Sequence, residues 1–426
     1  MLKASKCVDM LKKMVFKNLR NQKRIGRRAH APNPHHGIFL SFAAKYETLM
    51  DSYKTLVRNL KVPYFLANLY WDRAKLKKVS RFLKTIFFNM STHLEALSIY
   101  ETFSMVPLRA PAIHIYPYAR WEQNGLTVAG GNGQGNGSNQ LYKPSGLFVD
   151  HDHTMYVADY WNHRIMEWKQ NAASGRVVAG GNGEGNANDQ LAYPTDVILD
   201  KETNSLIICD AGNDRVVRWP RRNGKTGETI ISNINCEALT MDKNGSLYVG
   251  DDRKAKVIRY RRGEFEGTVV AGGNGKGNSL NQVSGVGYVF VDQDRSVYVS
   301  EWGNNRVTKW MVGAEQGVIV AGGLGEGNSL TQLSTPRGVV VDSSGTVYVA
   351  DQENNRIMRW MKGATKGTVI VGGDGMGAQP NQFLWPIGLA FDLQGNLYVA
   401  DHNNARVEKF NINQFGKFYI NESQLN

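Results

Sequence analysis

The sequence predicts an all-β fold, a six-bladed β-propeller over residues 121–411, and three columns of residues carry that prediction. Strings such as Tyr-Val-Ala-Asp end in an acidic residue about every fifty positions, with a cation five positions later and an aromatic residue nine positions later. Six matches in each of three independent columns establish six repeats. The acid–cation pairs are Asp159–Arg164, Asp210–Arg215, Asp251–Lys256, Glu301–Arg306, Asp351–Arg356 and Asp401–Arg406.

Each repeat is expected to form four short strands. In the first repeat, apolar runs at 146–150, 155–159, 164–168 and 176–180 are separated by turn-forming Asn, Gly and Asp. Runs rich in Val, Ile, Tyr and Phe favour strands over helices, and four strands in one repeat are typical of a propeller blade. A lone blade leaves both faces uncovered, whereas six blades in a ring bury each face against the next.

The two ends of the repeat region predict how the ring closes. The string LTVAG at 126–130 matches the fourth strand of a repeat, yet no repeat precedes it. The last repeat ends after RVEKF at 406–410 and lacks that strand. We therefore expect strand 126–130 to complete the last blade, and removal of residues 121–131 to open the ring. Residues 412–426 then form a C-terminal tail.

The pattern P-x-G-L-x-V-D followed by Y-V-A-D-x-x-N-x-R-V resembles the NHL repeat, which is found on six-bladed propellers. The resemblance spans all six repeats and is strongest at 144–168, 336–360 and 386–410. It weakens in the third repeat, where Asp252, Arg253 and Lys254 replace the Asn-containing loop and a glycine-rich insert is missing. The resemblance implies RNA binding, protein scaffolding or, as in the related peptidyl-amidating lyases, metal-dependent catalysis. Fold alone does not choose among them.

The acid–cation pairs and the glycine-rich loops are interpreted as structural. Because the pair occurs in every repeat, it is expected to join the two ends of one loop and to fix the second strand to the third. The loops at 129–136, 179–186, 271–278, 321–328 and 371–378 are rich in Gly. Lys276 is not followed by Ser or Thr, as a phosphate-binding loop requires, so these loops are predicted to form positive-φ turns.

Catalysis is not expected from this set of residues. Metal-dependent chemistry needs several His converging from different blades, but the predicted binding face offers His163 and His402, while His151 and His153 fall at the opposite face. No metal site and no cofactor are therefore predicted. A metal-dependent lyase stays the less favoured alternative.

The predicted binding surface is formed by the loops between second and third strands. Their residues differ from blade to blade, so they can encode specificity, and Trp, Tyr and Arg are typical anchors of interfaces. The favoured function is a non-enzymatic, monomeric scaffold that binds a protein or another macromolecule. The alternative is single-stranded RNA held by Arg253, Lys254 and nearby aromatic rings; DNA is not expected. The candidate binding residues are Tyr160, Trp161, His163, Arg253, Lys254, Trp302, Glu353 and His402.

The net charge of +13 is concentrated in the N-terminal quarter. Residues 1–120 contain 22 Lys and Arg against 6 Asp and Glu, so the repeats are close to neutral. Apolar residues at helical spacing over 64–88, with cations between them, predict a basic amphipathic helix suited to an anionic membrane or a partner's groove. The extension is thus expected to be mostly helical, with no membrane span and no secretory signal.

Cys209 and Cys236 are predicted to lie at the same rim of adjacent blades. Antiparallel topology places the end of one second strand near the start of the next first strand, so a disulfide is geometrically possible. Two buried free thiols fit the sequence equally well. A disulfide would favour an extracellular location, and the sequence leaves the compartment open otherwise.

Overall fold

The computed structural model describes residues 113–264 and 266–413, and within them the chain forms six four-stranded antiparallel sheets. The predicted all-β, six-bladed propeller is therefore confirmed. The predicted basic helix at 64–88, with the rest of residues 1–112, lies outside the described residues, as do residues 414–426. Within the described ranges, no helix is long and apolar enough to cross a membrane.

Two strands, β1 (Arg120–Trp121) and β2 (Leu126–Gly130), precede blade 1, and blades 1 and 2 each contain four strands in chain order. Blade 1 consists of β3 (Pro144–Val149), β4 (Met155–Asp159), β5 (Arg164–Trp168) and β6 (Arg176–Gly180). Blade 2 consists of β7 (Pro194–Asp200), β8 (Ser205–Asp210), β9 (Arg215–Pro220) and β10 (Glu228–Ser232).

The next three blades repeat this order. Blade 3 consists of β11 (Cys236–Met241), β12 (Leu247–Asp251), β13 (Lys256–Tyr260) and β14 (Thr268–Gly272). Blade 4 consists of β15 (Val286–Val291), β16 (Val297–Glu301), β17 (Arg306–Trp310) and β18 (Val318–Gly322). Blade 5 consists of β19 (Pro336–Val341), β20 (Val347–Asp351), β21 (Arg356–Trp360) and β22 (Thr368–Gly372).

The last blade contains strands from both ends of the propeller. It includes β23 (Pro386–Phe391), β24 (Leu397–Asp401) and β25 (Arg406–Phe410), followed by the short β26 (Ile412–Asn413). Its fourth strand is β2, which runs antiparallel to β25. Short 3-10 turns follow three of the second strands, at Tyr160–Asn162, Ala211–Asn213 and His402–Asn404.

The core lies between the faces of neighbouring blades. All residues of β3 and β4 are buried, whereas β18 is exposed over its first residues because it lies at the outer edge. The first strands contact one another all the way round the ring, so they surround the axis. The aromatic column is buried at Trp168, Trp219, Trp310, Trp360 and Phe410, while Tyr260 is partly buried.

Neighbouring first strands approach closely where glycine replaces a side chain. A Cβ atom on Gly388 would lie 2.4 Å from the carbonyl oxygen of Ser145 in blade 1. The missing side chain therefore allows blade 6 to contact blade 1 at the axis, which is the point where the ring closes. A larger residue at 388 would push these two backbones apart.

The closing strand β2 covers a buried carboxyl group. Thr127 of β2 lies opposite Glu408 of β25, and Glu408 is 1% exposed. Neither of its carboxylate oxygens has a hydrogen-bond partner among the described residues, although Arg406 Nη1 lies 3.1 Å from Oε1. Burial raises the pKa of Glu408 to about 8, opposed by Arg406 and helped by Asp401.

A second closure is formed by the segment that precedes β2. Strand β1 pairs with β26, with Trp121 opposite Ile412. Trp121 is 3% exposed, packs against Tyr348 and Phe391, and donates from Nε1 to the carbonyl of Gly395 at 3.0 Å. The described part of the propeller thus includes residues N-terminal to β2 that hold blades 5 and 6 together.

The acid–cation pair is part of a latch that holds the glycine-rich loop. In blade 5, Asp351 accepts hydrogen bonds from the backbone N–H of Ser334 at 2.7 Å, from Asn354 at 2.9 Å and from Arg356 Nε at 2.7 Å. The guanidinium of Arg356 also donates to three carbonyl groups of loop 323–335. Equivalent Arg-to-loop bonds are made by Arg164, Arg215, Arg306 and Arg406.

The glycine-rich loops form positive-φ turns at their starts. In the loop before blade 1, Gly130, Gly131 and Gly133 have φ values of +67°, +78° and +78°. A Cβ atom on Gly130 would lie 2.3 Å from the carbonyl oxygen of Ala405, so a side chain is excluded there for two reasons. These turns bring the loop carbonyl groups within reach of the arginine of the latch.

The third blade departs from this latch, and the predicted Asp251–Lys256 pair is not formed. The two residues are partners in strand register, but no ion pair joins them within the described residues. Instead, Lys254 donates from its backbone N–H to Asp251 and places Nζ 3.9 Å from the carboxylate. Because the link at 233–235 replaces the long loop, there are no loop carbonyl groups for a guanidinium to hold.

A disulfide joins the two blades at the same place. Cys209 of β8 is bonded to Cys236 at the start of β11, with 5.3 Å between their Cα atoms. The bond thus connects blade 2 to blade 3 across the link that lacks the glycine-rich loop. A covalent connection stands where the other blades use the arginine latch.

Candidate binding face

The candidate site lies on the face that we term the upper face. Antiparallel order places the loops between second and third strands on the same side as the links from one blade to the next. The turns between first and second strands lie on the opposite, lower face, together with those between third and fourth strands. The second-to-third loops cover 160–163, 211–214, 252–255, 302–305, 352–355 and 402–405.

Aromatic side chains gather on the upper face between blades 1 and 2. Trp161 stacks on Tyr142, with ring centroids 5.7 Å apart and 27° between planes. Tyr193 contacts both Tyr160 at 5.2 Å and Trp161 at 5.7 Å. The Lys143 ammonium lies 5.4 Å above the indole of Trp161, which is 41% exposed. These residues form the upper aromatic cluster, and Trp161 is the ring that it presents to solvent.

Two histidines support this cluster from beneath. His163 has a left-handed backbone (φ 52°), accepts a hydrogen bond from Tyr193 N–H at 3.1 Å on Nδ1 and packs on the Tyr193 ring. His402 is buried, lies near Tyr160 and has Nδ1 3.0 Å from the carbonyl of Pro144. Burial lowers the pKa of His402 to about 4, so its neutral ring donates to that carbonyl. Both histidines position the aromatic rings.

A charged centre lies on the same face, at the upper ends of the first strands of blades 3 and 5. Arg337 donates from Nε to Gln352 Oε1 at 2.8 Å and from Nη1 to Glu237 Oε1 at 3.3 Å. Burial raises the pKa of Glu237 to about 7, and Arg337 opposes that rise. Burial also raises the pKa of Tyr160, with Glu237 adding to the effect. Tyr160 and Glu237 thus interact electrostatically on the same face of the propeller.

Trp302 forms the second aromatic wall of this centre. Its ring lies 5.6 Å from the Arg337 guanidinium carbon and is 37% exposed. The ring is seated over Gly285, where φ is +68° and a Cβ atom would come within 2.5 Å of the indole. Glycine at 285 is therefore required for both the backbone conformation and the seat of the ring.

The remaining candidate residues lie outside this group. Arg253 donates from both Nη atoms to Asp214 at 2.9 Å each, and Lys254 donates from Nζ to the carbonyl of Asn233 at 3.0 Å. Glu353 is exposed, and its backbone N–H donates to Ser334. The structure thus brings Tyr160, Trp161, His163 and His402 together, places Trp302 against Arg337, and holds Arg253 and Lys254 in contacts of their own.

Sequence reasoning missed the charged centre. Glu237, Arg337 and Gln352 were not among the candidates, nor were Tyr142 and Tyr193 of the aromatic cluster. A signal was present, because the position after the first-strand proline differs between blades. That position holds Ser145, Thr195, Arg337 and Ile387 in blades 1, 2, 5 and 6.

No metal-binding group is evident in the part of the chain that the structure describes. Within it, no three or more His, Cys, Asp or Glu side chains lie close enough together to hold a metal ion. The metal-dependent lyase stays the less favoured alternative, and elemental analysis of the purified protein for zinc and calcium tests it.

Comparison with known proteins identifies the repeat. The family model described as NHL repeat matches residues 333–359 and 383–410, which belong to blades 5 and 6. With the six-bladed ring, this match shows that the chain carries NHL repeats on a β-propeller. A search of curated proteins finds no significant relative.

Solved structures share the fold at low sequence identity. A protein of unknown function from Bacteroides thetaiotaomicron has a TM-score of 0.56 at 15% identity, over 69% of this chain and 77% of that one. An auxiliary nutrient binding protein from the same organism has a TM-score of 0.54 at 18% identity, with the same coverage of both chains. The PQQ-bound aldose sugar dehydrogenase of Streptomyces coelicolor has a TM-score of 0.51 at 14% identity, over 70% of this chain and 100% of that one. A nutrient binding protein and an enzyme thus share this fold, so the likeness supports the fold alone.

Proposed function

We propose that this chain is a non-catalytic binding module whose upper face recognises a protein partner. The observation that carries the proposal is that one face presents both the upper aromatic cluster and the Arg337–Glu237 pair with its Trp302 ring. Trp161 and Trp302 are both more than one third exposed although Trp161 stacks on Tyr142 and Trp302 lies against Arg337. Rigid, partly exposed indoles next to a fixed guanidinium are typical of the anchors that dominate protein interfaces.

The charged centre favours a partner that presents a carboxylate or carbonyl group to Arg337. Arg337 is held on three sides by Gln352, Glu237 and the Trp302 ring, so little side-chain entropy remains to be lost on binding. The free edge of a guanidinium fixed in this way suits a carboxylate or carbonyl group. A backbone carbonyl or acidic side chain, flanked by apolar residues against the two indoles, is the expected epitope.

Quantitative affinity capture with the full chain as bait tests the proposal. We expect polypeptides retained by the wild type to be lost with the Trp161→Ala/Trp302→Ala variant, because truncation of such anchors weakens binding by about thirtyfold or more. Met311→Ala is the matched control, since Met311 is 55% exposed in a lower-face turn. Equal retention by all three baits would contradict the proposal.

Single-stranded RNA is the alternative to be separated from this proposal. Its expected carriers, Arg253 and Lys254, already have partners in the structure, so a phosphate must displace Asp214 and the Asn233 carbonyl. Fluorescence anisotropy of the full chain with pooled single-stranded RNA, at low and near-physiological salt, separates the two. We expect the Arg253→Glu/Lys254→Glu variant to behave like the wild type. Salt-sensitive binding that this variant abolishes would place RNA ahead of a protein partner.

A further inference from the structure

A cleft on the outer, lower side of blades 4 and 5 repeats a site that Trp121 fills one blade further on. The 4/5 cleft has a volume of about 760 Å³ and is lined by residues of both blades, among them Tyr298, Lys309, Ile319, Val341 and Gly345. No described residue fills it. Its volume is within the range of clefts that bury most of a drug-sized ligand.

The corresponding 5/6 cleft shows how such a site is occupied. Trp121 packs there against Tyr348 and Phe391, under the guanidinium of Arg359 at 5.9 Å. Its indole N–H donates to the carbonyl of Gly395. The backbone also takes part, since Arg359 Nη1 donates to Ala119 O at 3.0 Å. An extended segment with one large aromatic side chain therefore fits this type of cleft.

The contacts made by Trp121 have counterparts fifty residues earlier in the chain. In the 4/5 cleft, Tyr298 corresponds to Tyr348 of the 5/6 cleft, Lys309 to Arg359, Val341 to Phe391 and Gly345 to Gly395. The turns at Gly345 and Gly395 are alike, because both glycines have positive φ and donate to the aspartate three residues earlier. The 4/5 cleft thus contains a glycine carbonyl as acceptor (Gly345), a cation (Lys309) and a tyrosine (Tyr298). Val341 is smaller than Phe391, so it leaves more room for an aromatic ring.

The walls of the 4/5 cleft carry apolar side chains that water reaches. Val318 is 48% exposed, Ile319 42%, Leu324 68% and Met361 45%, and all four line the cleft. Clustered exposed apolar residues of this kind mark interaction sites. The interface of the docked segment also continues to this cleft, because Ser343, one of its lining residues, donates from its backbone N–H to Ile113 O at 3.0 Å.

We propose that the 4/5 cleft binds an extended peptide segment of a partner protein that carries a tryptophan or another large aromatic side chain. The aromatic ring packs between Tyr298 and Val341, and an indole N–H donates to the Gly345 carbonyl as Trp121 does at Gly395. This site is separate from the upper face, and it does not depend on the function proposed there.

The test uses the full chain and a fluorescein-labelled peptide with the sequence of residues 113–124, which contains Trp121. We expect a saturable rise in anisotropy with the wild type, and a loss when alanine replaces the peptide's tryptophan. Ile319→Asp places a charge in the apolar wall and weakens binding about tenfold or more. Val269→Asp is the matched control, because Val269 is 45% exposed on the outer strand of blade 3 and does not line the cleft.

Three outcomes overturn the proposal. One is the absence of saturable binding, and another is equal binding by Ile319→Asp and Val269→Asp, both shown to melt as the wild type does. The third is self-association of the wild type in sedimentation velocity that Ile319→Asp abolishes, because a second copy of this chain would then be the occupant.

Discussion

At the scale of single residues, the motif Asp-x-x-Asn-x-Arg, with Glu301 in place of Asp in blade 4, forms the latch that holds the glycine-rich loop in five of the six blades. The Asp351 carboxylate is fully buried and the Arg356 side chain is 7% exposed. Removing the arginine leaves a buried charge without its partner and frees three loop carbonyl groups. The latch is therefore a structural device, which fits its presence in five blades of the described propeller.

Arg356→Ala is expected to lower the free energy of unfolding by about 3–5 kcal/mol, as when one partner of a buried ion pair is removed. Urea denaturation followed by tryptophan fluorescence measures the change. Arg253→Ala removes an exposed arginine from its pair with Asp214 and should leave the midpoint unchanged. Equal midpoint shifts in the two variants would show that the latch has no special role.

The disulfide is expected to replace the latch between blades 2 and 3. The bond closes a loop with a sequence separation of 27, for which the chain-entropy model gives about 3–4 kcal/mol. Reduction should lower the melting temperature of the wild type, and Cys209→Ser/Cys236→Ser should melt near that lower temperature with no further change on reduction. A wild type indifferent to reductant would contradict this role.

At the scale of elements, closure of the ring depends on strands from both ends of the described chain. β2 completes blade 6, and β1 with β26 holds Trp121 between blades 5 and 6. Trp121→Ala is expected to cost about 3–5 kcal/mol, because it leaves a cavity and an unpaired Gly395 carbonyl. The comparison in the same denaturation assay is Trp161→Ala, whose ring is 41% exposed. A larger loss at 161 than at 121 would contradict this assignment.

The closing strand is also expected to respond to pH through Glu408. Its pKa rises from 4.5 to about 8 on folding, so its contribution to stability is complete below pH 4.5 and is lost as the pH rises through 8. Between pH 6 and 9 this loss amounts to roughly 3 kcal/mol at most. Glu408→Gln should therefore show a smaller fall in melting temperature over that range. An identical fall in both proteins would remove Glu408 as its cause.

At the scale of the whole molecule, the repeat was predictable while the site was only partly so. The six acidic residues of one column and the unpaired fourth-strand sequence at 126–130 determine the blades, because each repeat must bury the same faces. Arg337 and Glu237 are one hundred positions apart in the sequence. Their pairing could not be predicted, because it depends on which first-strand side chains meet near the axis of the ring. The Asp251–Lys256 pair failed because a shortened link removed the loop that the latch holds.

The molecule thus carries two surfaces of different construction. The upper face uses residues that vary between blades around a charged axis, whereas the 4/5 cleft reuses the repeat itself, with Tyr298, Lys309 and Gly345 in positions that serve Trp121 in the next blade. Variation around the axis suits a single specific partner. The repeated cleft suits a short peptide with one anchor.

Site-specific photo-crosslinking tests the central claim most directly. Benzoyl-phenylalanine is placed at position 161 on the upper face, or at position 311 in a lower-face turn, in the full chain within its native source. We predict a covalent adduct with one polypeptide from position 161 and none from position 311, and loss of the adduct when Trp302→Ala is added. The same adducts from both positions, or none from 161, would contradict an upper face built for a protein partner.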